Sequence, residues 1–412
     1  MNNVLRKEAE QIWTAAIQAC LPDEAVCTAL ERLPEVKGRI YLVAIGKAGW
    51  KMADTACRLL GDRLFSGIVI TKYDHAKGEL PRIKTYEAGH PVPDQNTLTA
   101  TEQVLSMTKD LTADDLVLFL VSGGGSALFE SVDCTPEDLQ RLTKACLASG
   151  ASIDEINIVR KHLSRVKGGK FALHCAPAKV FTVLLSDVLG DRPDTIASGP
   201  SVPDLSTVEQ ALSIVQKYGL PLSEQMRSAL SEETPKELSN ASYFIGGSVR
   251  ELCRHAAKAA ETLGYRPVLL TDHLTCEARE AGAFLASIAR THQDAPSSLA
   301  FIAGGETVVH LRGKGLGGRN QELALAAASD LEGLKDTAIF SVGSDGTDGP
   351  TDAAGGYVDE TTAPHLRSQG VQIPDVLANN DAYHALAKCD SLIFTGATGT
   401  NVNDVAVLLI KR

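Results

Sequence analysis

The chain has 412 residues, more than one core usually organises, so two domains are expected. Its 44% hydrophobic and 22% charged residues are those of a water-soluble globular protein. A formal net charge of -11 argues against broad binding to nucleic acid or a membrane surface, and an anionic substrate would need a local cluster of cations and backbone N–H groups.

The chain opens with an amphipathic helix, because Leu5, Ala9, Ile12, Trp13, Ala16, Ile17 and Cys20 fall on one helical face. Strands and helices then alternate. "RIYLVAIG" reads as a strand, "KAGWKMADTACRLLG" as a helix, "GIVIT" and "DDLVLFLVS" as strands, and "AKVFTVLLSDV" as another. After a polar stretch near 230–240, "SYFIGGS" begins a new strand–glycine–helix unit, and "RPVLLTD", "SLAFIAGG", "TAIFSVGSD" and "SLIFTG" follow as strands. Short apolar runs separated by helices predict an α/β fold with mostly parallel sheets covered on both faces. The polar stretch sets the domain boundary, giving residues 1–238 and 239–412. Nine scattered cysteines without a CxxC pair suit a reducing cytoplasm, with thiols serving as small core residues. No run approaches the ~20 apolar residues of a membrane helix, and the N-terminus carries no apolar signal core.

Three glycine turns follow strands. "SGGGSA" places Gly123, Gly124 and Gly125 between Ser122 and Ser126, where bare backbone and two hydroxyls can approach an anion. "GKGLGG" (Gly313, Lys314, Gly315, Gly317, Gly318) matches G-x-G-x-x-G, yet it lies late in the chain. It carries Lys314 and Arg319, and it lacks the acidic residue that a dinucleotide fingerprint places about 20 residues on. A basic loop touching nucleotide phosphates is an equal reading. "TGATGTNVND" places Gly396 and Thr398 in a loop that reads equally as a nucleotide or phosphate contact and as a plain turn. No P-loop motif occurs.

Acidic residues crowd two strand ends, Asp187, Asp191 and Asp194 after one and Asp345, Asp348 and Asp352 after another, with Glu306 after a third. Without thiols or histidines, such loops suit a hard cation such as Mg²⁺. The candidate cations are Lys47 in "IGKAG", Arg160 and Lys167 on a helix expected over 153–167, and Arg319 at a helix start, where a positive charge opposes the dipole unless an anion joins it. His90 in "AGHPVPD", stiffened by Pro91 and Pro93, reads as part of a rigid turn.

Taken in order, "IGKAG", "AGHPVPD", "SGGGSAL", "NIVRKHLSRVKGGK", "SDVLGD" with "ASGPSVPD", "GGETVV", "GKGLGGRNQELALA", "GSDGTDGPTDAAGG" and "TGATGTNVND" resemble the class II glycerate kinase family, whose C-terminal part is the MOFRL domain (about 298–405 here) and whose members have often been labelled hydroxypyruvate reductase. Val308 stands where the family pattern leads one to expect Thr. The resemblance implies two three-layer α/β/α domains, the first Rossmann-like, with the active site in the cleft between them. It implies ATP-dependent phosphorylation of D-glycerate at its 2-hydroxyl, giving 2-phosphoglycerate and ADP, with ATP and Mg²⁺ as cofactors. The alternative is an NAD(P)H-dependent hydroxypyruvate reductase.

Carried over by motif, Lys47 and Arg319 are the catalytic cations. The Asp187 and Asp345 loops look like metal or substrate contacts; on the reading of the residues themselves, Asp187 or Asp191 is the base and Asp187, Glu306 and Asp345 meet the metal. Ser122 to Ser126 or Arg160 hold the glycerate. Gly305, Lys314, Gly315, Gly317, Gly318, Gly396 and Thr398 hold the nucleotide. A cytoplasmic enzyme of small molecules is expected, with a homodimer left open.

Overall fold

The structure is a computed structural model that describes residues 2–412. It divides into two compact units. The first, Pro22–Val188 with Arg192–Gly246, is built on a six-stranded sheet. Its strands are β1 (Ile40–Ile45), β2 (Leu64–Lys72), β3 (Ile83–Ala88), β4 (Leu116–Val121), β5 (Lys179–Leu185) and β6 (Ala241–Gly247), in the order β3-β2-β1-β4-β5-β6. The pairs from β3 through β5 are parallel.

β1 (IYLVAI) and β4 (LVLFLV) are buried at every position because both faces of the sheet are covered. Alternate side chains go to opposite layers. Tyr41, Val43, Ile45, Val117 and Phe119 pack with Val104, Phe129 and Phe171. Leu42, Ala44, Leu118 and Leu120 pack with Trp50, Met52 and Ala53 of the helix Gly49–Leu60.

The second unit joins residues 2–21, Leu189–Asp191 and Gly247–Arg412. Its strands are β7 (Arg266–Leu274), β8 (Leu299–Gly305), β9 (Thr337–Gly343), β10 (Gly355–Asp359), β11 (Leu392–Ile393) and β12 (Asp404–Ile410), in the order β11-β10-β9-β12-β8-β7. Only β7 and β8 pair in parallel; β12 is antiparallel to both β8 and β9, and β10 to both β9 and β11. Four of the six strands thus share one direction, while β10 and β12 oppose them. Helices cover both faces here too. Ala281, Leu285, Leu323 and Leu325 lie on one side, and Leu252, Cys253 and Ala256 on the other.

Two features differ from the sequence reading. The opening helix, Asn3–Ala19, is amphipathic as expected, but its buried stripe covers the second sheet, with Trp13 edge-on to Phe340 at 5.2 Å. The domain line therefore falls near 246, at the end of β6, and residues 2–21 belong with the C-terminal part rather than with residues up to 238. β3, β10 and β12 also stand as strands where none was expected. Among the described residues, no helix is long and apolar enough to cross a membrane.

Candidate active site

In an open α/β sheet, ligands bind beyond the carboxyl ends of the strands where the order reverses. In the first unit the reversal lies between the neighbours β1 and β4. The loops leaving these strands are Gly46–Lys47 and the SGGGS turn, and they are laced together. Lys47 N donates to the Gly123 carbonyl (2.9 Å), and Ala48 N to Ser122 Oγ (3.0 Å). Ser122 Oγ in turn donates to the Ile45 carbonyl (3.3 Å) and is almost fully buried. Its hydroxyl is occupied as a structural tie, which differs from the expected role as a substrate donor. Gly125 is likewise structural, since a Cβ there would stand 2.7 Å from Ala197 Cβ.

Gly123 and Gly124 line the open part of the turn. A Cβ on Gly123 would overlap the Asp187 carboxylate that leaves β5. Gly124 is left-handed (φ 88°), and a Cβ there would sit 3.1 Å from the His90 ring and 3.5 Å from Lys47 Cγ. The missing side chains thus make room for an acid, an imidazole and a lysine at one spot. His75 Nδ1 lies 3.1 Å from the Lys47 carbonyl oxygen. Burial, then Lys47, Lys72 and His75, push the His90 imidazole below its ordinary value. The Lys47 ammonium makes no hydrogen bond or ion pair among the described residues. A turn so furnished, in an acidic protein, attracts an anion. The sequence reading had Lys47 and Asp187 here. It gave His90 a rigid-turn role and missed Lys72 and His75, whose signal was only nearness to the end of β2.

Beside the turn, Ser126 Oγ is 3.0 Å from Ser198 Oγ, which donates to Asn157 Oδ1 (2.9 Å). Ala197, Ser198 and Gly199 are consecutively left-handed (φ 51°, 60° and 62°), a costly backbone for the first two. Arg160 has no side-chain partner among the described residues and lines a small cavity, about 20 Å³, with Ser126. Lys167 departs from expectation. The helix ends at Leu163, and Lys167 is fully buried, bound to Glu130 (2.9 Å) and the Phe129 carbonyl (2.6 Å).

In the second unit, the corresponding sheet edge gathers carboxylates around one cation. Glu306 follows β8, Asp345 follows β9, and Asp404 heads the reversed strand β12. Arg319 grips Asp404 with two prongs (Nε–Oδ2 2.5 Å, Nη2–Oδ1 3.1 Å) and reaches Glu306 (3.2 Å). Burial pushes the Asp404 carboxyl up, and Arg319 opposes that shift. Asp348 accepts from the N–H groups of Asn320 (3.1 Å) and Gln321 (2.9 Å), and burial raises its carboxyl to about 6. Asp404 does not stand out in the sequence, because the strand it opens follows the TGATGTNVN loop directly.

Comparison with known proteins follows the same two-part layout. A family model described as a domain of unknown function, DUF4147, matches residues 8–231, and the MOFRL family model matches residues 299–404. A D-glycerate 2-kinase from Thermotoga maritima is 51% identical over 98% of this chain and 98% of its own. The chain belongs to the class II glycerate kinase family. A glycerate 2-kinase from Pyrococcus horikoshii is 41% identical over 91% of this chain and 88% of its own. The crystal structure of a glycerate kinase from Thermotoga maritima superposes with a TM-score of 0.94 at 51% identity, covering 99% of this chain and all of that one.

For a glycerate kinase fold, the GKGLGG loop is unexpectedly self-contained. The N–H groups of Arg312 and Gly313 donate to Asn380 Oδ1 (2.7 and 3.0 Å), and that of Lys314 to Asn379 Oδ1 (3.1 Å). Gly315 N donates to the Asn379 carbonyl (2.9 Å) and Leu316 N to Asp381 Oδ1 (2.9 Å). Five successive amides are therefore engaged by residues 379–381. Gly313 and Gly315 are needed for that close approach, since a Cβ on either would overlap the same segment. A Cβ on Gly318 would overlap Asp348, whose carboxylate already takes the first amides of the helix Arg319–Leu331. This differs from the expectation of a backbone phosphate cradle and leaves the Lys314 side chain, which is exposed, as the loop's free cation. Gly305 approaches Leu274 too closely for a side chain. Thr398 donates its hydroxyl to the Ser344 carbonyl (2.6 Å), while Gly396 faces open space.

Asp191 also parts from Asp187. It lies in the three-residue excursion Leu189–Asp191 that belongs to the second unit, where Ser248 Oγ donates to it (3.0 Å) and Arg250 stands 3.9 Å away. Burial raises its carboxyl. Of the expected metal contacts, Asp187 is in the first unit and Glu306 and Asp345 in the second. Among the described residues, no three His, Cys, Asp or Glu side chains group to hold a metal.

Proposed function

We propose that this chain is a glycerate 2-kinase, moving the γ-phosphoryl group of ATP to the 2-hydroxyl of D-glycerate. Family membership supports the reaction class. The observation that carries the site is the glycine turn at the switch point, where Asp187 stands against the bare backbone of Gly123 and His90 and Lys47 against that of Gly124, with Lys72 and His75 adding positive charge around His90.

Phosphoryl transfer asks a protein mainly for positioning and for charge to meet the charge that develops. Lys47, with no partner of its own, neutralises the transferring group. Arg319, held in register by Asp404, serves the phosphate chain of the nucleotide, and the exposed Lys314 side chain is a second cation for it. Arg160 and the Ser126 hydroxyl hold the glycerate carboxylate. Mg²⁺ usually keeps its phosphate and water ligands and needs only one or two carboxylates. Glu306 and Asp345, the carboxylates of the second edge that are not buried, fit that smaller demand. When bound, the ion supplies charge neutralisation at the β- and γ-phosphates.

The test is incubation of the chain with ATP, Mg²⁺ and D-glycerate, followed by ³¹P NMR. Appearance of 2-phosphoglycerate with ADP is expected; 3-phosphoglycerate, or no ADP, rejects the reading. The hydroxypyruvate reductase alternative needs a dinucleotide on GKGLGG. The engagement of four of its amides, of the Arg312 amide before it and of the following helix start by the chain's own residues weighs against it.

A further inference from the structure

His90 is one of the groups at the turn that the reaction scheme above leaves unused. Its ring edge, Cδ2 and Nε2, faces the space that Gly124 leaves open, 3.1 Å from where a Cβ would be. The imidazole makes no hydrogen bond among the described residues. Lys47 flanks it on the same turn. The charged and titratable groups that face it are Lys47 from the loop after β1, Lys72 from the end of β2, and His75 just beyond. A side chain half-buried among cations, with an unsatisfied ring and an opening toward a substrate turn, is poorly explained as packing alone.

We propose that His90 is a catalytic residue that accepts the hydrogen bond, and then the proton, of the D-glycerate 2-hydroxyl. This rests on the kinase reading. The hydroxyl oxygen forms a bond to the γ-phosphorus while the bond from that phosphorus to the bridging oxygen breaks and the electron pair leaves with ADP. The hydroxyl proton passes to the imidazole and from there to water. Burial first, and then the cations around His90, favour the neutral ring, which is the form able to accept. The cations also raise the acidity of a hydroxyl brought beside them. Little basicity is needed, because a loose phosphoryl transition state moves the proton late. Asp187, at the neighbouring glycine, then serves to orient substrate rather than to take the proton.

The experiment follows steady-state phosphorylation of D-glycerate by the full chain and by His90→Asn and His90→Ala, across about pH 5 to 8. The parent should lose kcat as pH falls through the His90 pKa, below the ordinary 6.5. His90→Asn should lower kcat about 100-fold at neutral pH, leave KM for ATP within about twofold, and abolish the acid limb. Added imidazole should restore part of the turnover of folded His90→Ala, which a packing role would not allow. A His90→Asn enzyme within about threefold of the parent, or one that keeps the acid limb, overturns the proposal. Absence of imidazole rescue in a His90→Ala chain whose circular dichroism matches the parent does the same. A parent chain that leaves D-glycerate unphosphorylated refutes the kinase reading, and this role falls with it.

Discussion

Arg319 and Asp404 form a two-pronged ion pair across the edge of the second sheet, between the first residue of a helix and the first residue of β12. Asp404 is almost buried, with its side chain 9% exposed. Arg319→Ala would leave that carboxylate without its cation. The expected loss is toward the lower end of about 3–5 kcal/mol, because Arg319 is itself partly open to water. Turnover should fall on the order of 10³-fold. Arg319→Lys should recover stability better than activity, since an ammonium cannot make both prongs. Urea unfolding and steady-state kinetics on the three proteins separate the two effects.

Lys47 offers the opposite pattern. Its ammonium has no partner among the described residues, so Lys47→Ala should change stability by no more than about 0.5 kcal/mol. Turnover should nonetheless fall on the order of 10³-fold. A matching melt with a collapsed kcat is the expected result; normal turnover would remove Lys47 from the reaction.

Gly124→Ala meets two obstacles at once, a left-handed backbone and the His90 ring. The backbone alone should cost about 1–3 kcal/mol. The methyl group would also displace the imidazole from the turn, so kcat should drop more than the melting temperature suggests. Gly150→Ala, left-handed with nothing near its Cβ position, is the control for backbone strain alone.

Ser198→Ala removes the donor to Asn157 and the contact that orients Ser126. Leaving the buried Asn157 oxygen unpaired should cost about 1–3 kcal/mol. KM for D-glycerate should rise about tenfold while KM for ATP stays unchanged, if Ser126 holds the glycerate. Equal changes in both would point away from that assignment.

Asp348 predicts a pH dependence of stability. Its folded carboxyl sits at about 6, above the unfolded value near 3.8, because burial outweighs the two amides that favour the charged form. Between those values the folded state holds more protons than the unfolded chain, so this group's contribution is present at low pH and lost as pH rises through about 6. The stability advantage of the parent over Asp348→Asn should therefore shrink between about pH 4.5 and 7, by up to about 2 kcal/mol. Urea midpoints of both proteins at the two pH values measure it.

The sequence by itself determined the alternation of strands and helices, the family, and the places where backbone comes close to something, because apolar periodicity and glycine placement are local signals. It marked Lys47, the SGGGS turn and Arg319 for the same reason. Only the tertiary structure decided what each glycine approaches. Gly124 opens toward His90, whereas Gly313 and Gly315 close against a segment more than sixty residues later that takes their loop's amides. It also separated Asp187 from Asp191, four positions apart, by carrying the chain from one unit to the other, and it laid the first helix on the second sheet. A local pattern states that a face is apolar or an amide bare; which distant residue satisfies it depends on how the whole chain fills its cores.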